Sequence, residues 1–98
     1  MTSNNDVLLK ETATKGRYYV RGDGNSDAEL TFSKAGSGLI IIDHTEVPDA
    51  FRGKGVGARL IQRVVEDARE RGVKIIPLCP FANSQFHRHP QWADVLKR

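Results

Sequence analysis

The stretch Arg52-Gly53-Lys54-Gly55-Val56-Gly57 joins an apolar segment of the chain to an amphipathic one. Upstream, residues 39–47 read Leu-Ile-Ile-Ile-Asp-His-Thr-Glu-Val, which is typical of a buried strand that ends in polar residues. Downstream, apolar residues recur at helical spacing from position 56 to position 68, with charged residues between them. A glycine-rich turn that opens a helix leaves backbone N–H groups unpaired and lets an anion approach closely. The stretch therefore predicts a site for a phosphorylated ligand.

The spacing of the glycines narrows the choice of ligand. A P-loop requires a hydroxyl residue directly after its lysine, but Gly55 follows Lys54. A dinucleotide-binding fingerprint requires a third glycine at position 58, which is alanine. What remains is Arg52-x-x-Gly55-x-Gly57, which resembles the Q/R-x-x-G-x-G/A signature of the GNAT acyltransferase superfamily. In that superfamily the loop amides bind the pyrophosphate of coenzyme A. The alternative is a glycine-rich turn that only starts a helix.

Length and composition are those of one small domain. The chain has 98 residues, which we expect to form a single domain over 1–98. No apolar run approaches the roughly 20 residues of a membrane span, and residues 1–6 lack the features of a secretory signal. The one cysteine cannot form an internal disulfide and fits a reducing compartment. We therefore predict a cytoplasmic protein without a membrane partner, as a monomer or weak dimer.

The net charge of +3 raises the question of nucleic-acid binding. The basic residues are dispersed among acidic ones, and Asp67 precedes Arg71 by four residues, which is the favourable order for an ion pair on a helix. Aromatic and basic residues are interleaved only in residues 17–21, where the pattern favours a core strand. We expect no nucleic-acid partner, because the surplus charge also suits an enzyme that holds a polyanionic cofactor.

The predicted elements are strands first, then helix, strand and helix. Strands are expected over residues 17–20, 27–33, 39–47 and 73–79, with 7–9 as a short edge strand or a loose N-terminus. A long helix is expected from about Lys54 to Arg71, with Gly72 as its C-terminal cap. Shorter helices are expected over 81–89 and 92–96. The strand–helix–strand unit predicts a parallel strand pair. The fold class is therefore α+β, with a mixed, mainly antiparallel sheet.

The segment after the last strand differs from the usual GNAT pattern. Many GNAT enzymes carry N-x-x-A-x-x-x-Y there, in which the asparagine binds pantetheine and the tyrosine protonates the departing thiolate. In the same register this chain has Cys79, Ala82 and Phe86. Phenylalanine has no proton to give, so the usual general acid is absent.

Four motifs together resemble one subgroup of small GNAT-like proteins, the stand-alone N-acetyltransferase domains of the YjdJ type. They are His44-Thr45-Glu46-Val47, the glycine stretch, Cys79-Pro80-Phe81 and His89-Pro90-Gln91-Trp92. The resemblance covers nearly the whole chain. It implies an abbreviated GNAT fold, in which the two parallel strands splay apart to admit acetyl-CoA or coenzyme A. The group lacks the two helices that most GNAT enzymes insert after their first strand, and we expect only Gly22–Asn25 between the first strands here.

The resemblance also implies the site residues. His44 and Cys79 match the proposed catalytic pair of the subgroup. Residues assigned to the cofactor are Thr45, Glu46, Val47, Arg52, Gly53, Lys54, Gly55, Val56, Gly57, Ala58 and Phe86. The carboxylate of Glu46 is also a candidate for a second base. No metal is expected, because Cys79, His87 and His89 do not have a standard zinc spacing.

The chemistry of His44 and Cys79 fits acetyl transfer to an amine. The reaction needs a neutral amine, a polarised thioester carbonyl and a proton for the leaving thiolate. A neutral His44 can accept the proton of the amine. The Cys79 thiol can protonate the leaving thiolate or, as a thiolate, attack the acetyl group. The residues leave both routes open, and direct transfer is usual for the GNAT fold.

The leading prediction is an acetyl-CoA-dependent N-acetyltransferase that acts on a small-molecule or peptide amine. The alternative is a non-catalytic module that binds acetyl-CoA, as a sensor or accessory protein. The missing helices favour the module and predict broad acceptor tolerance, whereas the His44 and Cys79 pair favours catalysis. A structural role without catalysis is the alternative for each residue. Cys79 would then be a small buried apolar side chain, and His44 a hydrogen-bonded residue at the end of a strand.

Overall fold

The computed structural model describes residues 7–22, 26–51 and 53–97. In this part of the chain the sheet has five strands in the order β1-β2-β3-β4-β5. They are β1 Leu8–Glu11, β2 Lys15–Val20, β3 Ala28–Lys34, β4 Leu39–Glu46 and β5 Lys74–Pro77. Neighbouring strands are antiparallel except β4 and β5, which are parallel. The predicted α+β class, with a mainly antiparallel sheet and one parallel pair, is confirmed.

Two α-helices follow β4 in the chain. Helix α1 spans Val56–Arg71 and crosses from β4 to β5, and α2 spans Pro80–Arg88. Short 3₁₀ helices cover Asp49–Phe51 and Pro90–Val95. No helix in the described ranges has the length and the apolar character needed to cross a bilayer.

The core forms between α1 and one face of the sheet. Ala28, Leu30 and Phe32 alternate with half-buried polar residues along β3, and all three are buried. The apolar side of α1 packs against them, with Leu60 and Ile61 fully buried. Full burial of such a side chain contributes about 1.5–3 kcal/mol, so this contact fixes which side of the sheet the helix covers.

The start of α1 and the end of β5 differ from the prediction. α1 begins at Val56 rather than Lys54, because Gly53 and Gly55 adopt left-handed φ angles of 79° and 67° that a helix cannot contain. β5 ends at Pro77, where the missing N–H ends the ladder, rather than at Cys79. The C-terminal cap at Gly72 is confirmed, with φ of 71°.

The connection between the first two strands also corrects an expectation. It consists of residues 12–14, because the chain turns tightly where the Thr12 N–H donates to the Lys15 carbonyl at 2.8 Å. The Lys15 N–H donates in turn to the Thr12 hydroxyl at 3.1 Å. The expected Gly22–Asn25 connection belongs instead between β2 and β3, and its residues 23–25 lie outside the described ranges. In either position the connection is too short for a helix pair.

Both α-helices of the described ranges and the 3₁₀ helix Pro90–Val95 lie on the same side of the sheet. α1 contacts β2, β3 and β5, while α2 and the 3₁₀ helix Pro90–Val95 contact α1 and each other. We call this side the helix face, and the other side, which no element of the described ranges covers, the open face. The register places on the open face the side chains of Arg17, Tyr19, Glu29, Thr31, Ser33, Ile41, His44, Glu46 and Ile76.

The C-terminal segment closes the edge of β5. Trp92 and Val95 are buried and pack against the core. Leu96 forms a parallel bridge with Ile75, and the Lys97 N–H donates to the Ile75 carbonyl at 2.9 Å. The edge of β5 is therefore paired rather than exposed.

Candidate functional site

The strands β4 and β5 separate at their C-terminal ends. Their pairing runs from Leu39 and Lys74 to Ile42 and Pro77, and β4 then continues to Glu46 without β5 beside it. In the described ranges, the last backbone hydrogen bond across the gap is from the Cys79 N–H to the Ile42 carbonyl at 3.2 Å. We call the space between residues 43–46 and the start of α2 the cleft.

A β-bulge decides which side chains point into the cleft. Phe32 is opposite Ile42 and Thr31 is opposite His44, so Asp43 is an extra residue in β4. Its carboxylate accepts a hydrogen bond from the Ser33 hydroxyl at 2.6 Å. Without the extra residue the alternation of the strand would place His44 on the helix face. Because of the bulge, His44 lies on the open face instead, and Thr45 lies on the helix face.

Cys79 lies where the cleft meets the first turn of α2. Its side chain is 6% exposed, and its thiol donates to Oγ1 of Thr45 at 3.4 Å. Burial, the largest single influence, raises the pKa of the thiol. Interactions with the Thr45 hydroxyl and with the backbone N–H groups of Ala82, Phe81 and Thr45 together outweigh burial and lower that pKa below its ordinary value. The sulfur therefore lies where a thiolate is stabilised.

His44 and Cys79 are not in contact. Nε2 of His44 lies 3.7 Å from Oε1 of Glu46 on the open face, where both side chains are largely exposed. Both His44 and Cys79 lie in the described ranges, and no hydrogen bond or ion pair joins them. The structure thus brings Cys79 together with Thr45 and His44 together with Glu46, on opposite sides of β4.

Gly53 and Gly55 lie in an open turn before α1. At both Gly53 and Gly55 the φ angle is positive, and a Cβ atom built there would meet no other atom within 4 Å. Glycine is therefore needed for the backbone conformation, and the space above the turn is free. The first N–H groups of α1 have no carbonyl to donate to within the helix. Lys54 is exposed beside them, and Arg52 lies outside the described residues.

Gly57 joins the glycine stretch to the cleft. A Cβ atom at this position would lie 2.7 Å from Cζ of Phe81 and 3.4 Å from Cγ2 of Val47. The start of α1, the end of β4 and the start of α2 therefore meet at one point, two residues from Cys79. Phe81 has no role of its own among the predicted site residues, although it belongs to the Cys79-Pro80-Phe81 motif.

Exposed apolar side chains surround the cleft. In the described ranges four large hydrophobic residues are exposed, namely Leu8, Val47, Leu78 and Phe81. Val47 and Phe81 contact the Gly57 position, and Leu78 directly precedes Cys79. Three of the four therefore border the cleft, which suits a ligand with an apolar portion.

Phe86 lies in the core and not at the surface of the cleft. It is buried, and its ring makes an edge-to-face contact with Trp92 at a centroid distance of 5.5 Å. His89 stacks on the same indole at 4.0 Å. Packing thus explains the position of Phe86 without a ligand, and its assignment to the cofactor stays a prediction.

In residues 7–22, 26–51 and 53–97, no three His, Cys, Asp or Glu side chains are grouped as metal ligands would be.

Comparison with known proteins decides the family. The sequence model of the GCN5-related N-acetyltransferase family matches residues 17–95. The chain belongs to this family. It is 26% identical to Protein NATD1 of Xenopus tropicalis over 91 residues, which cover 92% of this chain and 84% of the relative. It is 29% identical to human Protein NATD1 over 85 residues, which cover 86% and 75% of the two chains.

Solved structures agree with this GNAT assignment. A GCN5-like protein of Staphylococcus aureus, determined by NMR, has a TM-score of 0.72 and 36% identity, covering 95% of this chain and 90% of that one. The crystal structure of a ribosomal-protein-alanine N-acetyltransferase from Brucella melitensis has a TM-score of 0.64 and 23% identity, covering 80% and 62%. The second likeness shows the fold alone. The predicted membership of the GNAT superfamily and its fold are confirmed.

Proposed function

We propose that this GNAT domain transfers an acetyl group from acetyl-CoA to an amine. The observation that carries the proposal is the junction at Gly57. There the glycine turn, the end of β4 and the start of α2 meet beside Cys79. The turn that binds phosphate and the site for the thioester would then lie next to each other. This is required because acetyl-CoA is one elongated molecule that carries both groups.

The residues around the junction suit the donor. The turn at Gly53 and Gly55 has free space and backbone N–H groups for a pyrophosphate, and the exposed Lys54 adds a positive charge. Arg52 is assigned to the same phosphates from the sequence. Val47 and Phe81 offer apolar surface for the pantetheine portion. Thr45, Glu46, Val56, Gly57, Ala58 and Phe86 are assigned to the donor from the sequence, although the side chains of Val56 and Phe86 are buried.

We assign the proton transfers to residues on opposite sides of β4. Acetyl-CoA supplies an acetyl group activated as a thioester. His44, on the open face, accepts a proton from the amine as its nitrogen bonds to the acetyl carbon, and Glu46 at 3.7 Å stabilises the protonated imidazole. As the carbon–sulfur bond breaks, the Cys79 thiol gives its proton to the departing sulfur. Its lowered pKa favours this transfer.

The separation of His44 from Cys79 favours direct transfer over an acetyl-cysteine route. A nucleophilic cysteine is usually activated by a base within hydrogen-bond reach. The partner of Cys79 is Thr45, whose hydroxyl is no base at neutral pH. An acid and a base that serve opposite ends of one reaction need no mutual contact, and the cleft provides this arrangement.

A second candidate function is a non-catalytic module that binds acetyl-CoA. The observation that favours it is the open face, because no helix in the part of the chain that the structure describes covers it to build a deep acceptor site. Both functions use the same donor site and no metal or nucleic acid. The cytoplasmic location, the monomeric or weakly dimeric state and the single domain over 1–98 stay predictions from the sequence.

Calorimetric titration followed by product analysis tests the proposal. Acetyl-CoA and CoA are titrated into the protein, which is then incubated with acetyl-CoA and a panel of primary amines. We expect one donor site per chain and acetylated amine detected by mass spectrometry. Binding without any product would favour the module, and absence of binding would contradict both functions.

A further inference from the structure

Two half-buried isoleucines lie on the open face, and an exposed leucine follows the end of β5 next to the cleft. Ile41 of β4 is in register with Ile76 of β5, and both are half-buried. Their neighbours Ile40 and Ile75 pack against the core on the helix face, so Ile41 and Ile76 belong to the open face. Two residues beyond Ile76, Leu78 is 66% exposed. We call Ile41, Ile76 and Leu78 the apolar row.

The bulge at Asp43 places this row beside the proposed base. In a regular strand Ile41 and His44 would point to opposite faces, but the extra residue puts both on the open face. The isoleucines of the row thus share a face with the imidazole, with the carboxylate of Asp43, which bonds the Ser33 hydroxyl on that face, between Ile41 and His44 in the strand. It stays uncovered, since the helices of the described ranges lie on the other side of the sheet.

The charges next to the row suit a cation. Glu46 lies opposite Glu29 in the register, and two like charges at directly opposed positions repel each other. The charge of Glu29 is partly balanced by Arg17 at 2.5 Å, and Glu46 faces the imidazole of His44. An ammonium group that approaches His44 therefore meets a local excess of negative charge.

We propose that the acceptor is a primary amine next to an aromatic or branched apolar group, and that the apolar row binds that group. This rests on the proposed acetyl transfer and narrows the broad acceptor tolerance expected from the missing helices. The amine enters between His44 and Glu46, while its apolar neighbour covers Leu78 and Ile76. A polyamine or an aminoglycoside has no such group to offer the row.

Two matched acceptors test the proposal. Phenylalaninamide and glycinamide share the α-amine and the amide and differ in one apolar side chain. With acetyl-CoA as donor, kcat/KM for phenylalaninamide should exceed that for glycinamide by roughly tenfold or more, the lower range of discrimination by apolar contact. Equal values would overturn the proposal while leaving acetyl transfer itself intact.

A pair of variants locates the effect. Leu78→Ser should lower the ratio of the two kcat/KM values towards one. Leu8→Ser is the control, because Leu8 is also an exposed leucine but lies on β1, at the other edge of the five-stranded sheet. It should leave the ratio unchanged. A ratio that survives Leu78→Ser would overturn the assignment of the row.

Binding is measured as well, so that the result does not depend on turnover. In the CoA-loaded protein, phenylalaninamide should shift the NMR signals of the Ile76 and Leu78 amides, and Leu78→Ser should weaken this binding. Absence of those shifts would overturn the proposal. Shifts without acetylated product would support the row and contradict the proposed transfer.

Discussion

The thiol of Cys79 lies 3.4 Å from Oγ1 of Thr45, across the cleft between the end of β4 and the start of α2. This contact exists because Asp43 is an extra residue in β4, which turns Thr45 towards the helix face and His44 away from it. The bulge therefore separates the two residues proposed to transfer protons. His44 lies on the open face of β4, and Cys79 lies beside Thr45 on the helix face.

Thr45→Val should make Cys79 less reactive. The Thr45 hydroxyl helps to hold the pKa of the thiol below its ordinary value, so its loss should raise that pKa and leave less thiolate at neutral pH. The rate of alkylation by iodoacetamide, measured against pH, should shift to higher pH. Thr31→Val is the control, because Thr31 lies on the open face of β3. Identical profiles for wild type and Thr45→Val would refute the role of the hydroxyl.

Gly55→Ala and Gly72→Ala form a matched pair. Both glycines have positive φ and free space for a Cβ atom, so either alanine should cost about 1–2 kcal/mol of stability through backbone strain. Gly55 precedes α1 in the proposed phosphate turn, whereas Gly72 caps the other end of the helix. Only Gly55→Ala should weaken CoA binding in calorimetry. Equal losses of affinity would remove the turn as the donor site.

The contact between Gly57 and Phe81 predicts a coupling energy. A Cβ atom at position 57 would be 2.7 Å from Cζ of Phe81, so the ring must move when alanine is introduced. In a Phe81→Ala background the obstacle is gone, and Gly57→Ala should stabilise α1 by up to about 1 kcal/mol. Urea denaturation of the four proteins in the cycle measures the coupling, expected at about 0.5 kcal/mol or more. Additive effects would argue against this packing.

Tyr18 should make the fold sensitive to alkaline pH. Burial and the hydrogen bond from its hydroxyl to Asp67 at 2.7 Å raise the pKa of Tyr18 well above its ordinary value. Because the unfolded chain loses this proton near pH ~10, the stabilisation is complete below that pH. It declines as the pH rises from there towards the folded pKa. Denaturation midpoints of Tyr18→Phe should lack this alkaline decline, and a decline equal to that of wild type would exclude Tyr18 as its source.

The sequence predicts most of the fold because the relevant patterns are local. Ala28, Leu30 and Phe32 alternate as a half-buried strand does, and the apolar spacing of α1 is helical. The left-handed turn at Gly53 and Gly55 shortens α1 by two residues, and turn conformation is not encoded in apolar periodicity.

The candidate site was harder to predict because it depends on a bulge. The motifs point to His44 and Cys79, and the structure places both next to the cleft, but the face of His44 follows from the extra residue Asp43. The extra residue can be recognised only from the register of β3 and β4, in which Thr31 and Phe32 pair with His44 and Ile42. For the same reason the partnership of Thr45 with Cys79 could not be read from spacing alone.

Acetyl transfer by Cys79→Ser is the most direct test of the proposed mechanism. The variant keeps the turn and the cleft but loses the acidic thiol, so CoA affinity should be retained while turnover falls by ~10²-fold or more. Mass spectrometry of the wild-type protein after mixing with acetyl-CoA should detect acetylated amine and no acetylated Cys79. A Cys79→Ser protein that acetylates amines at the wild-type rate would contradict the central claim.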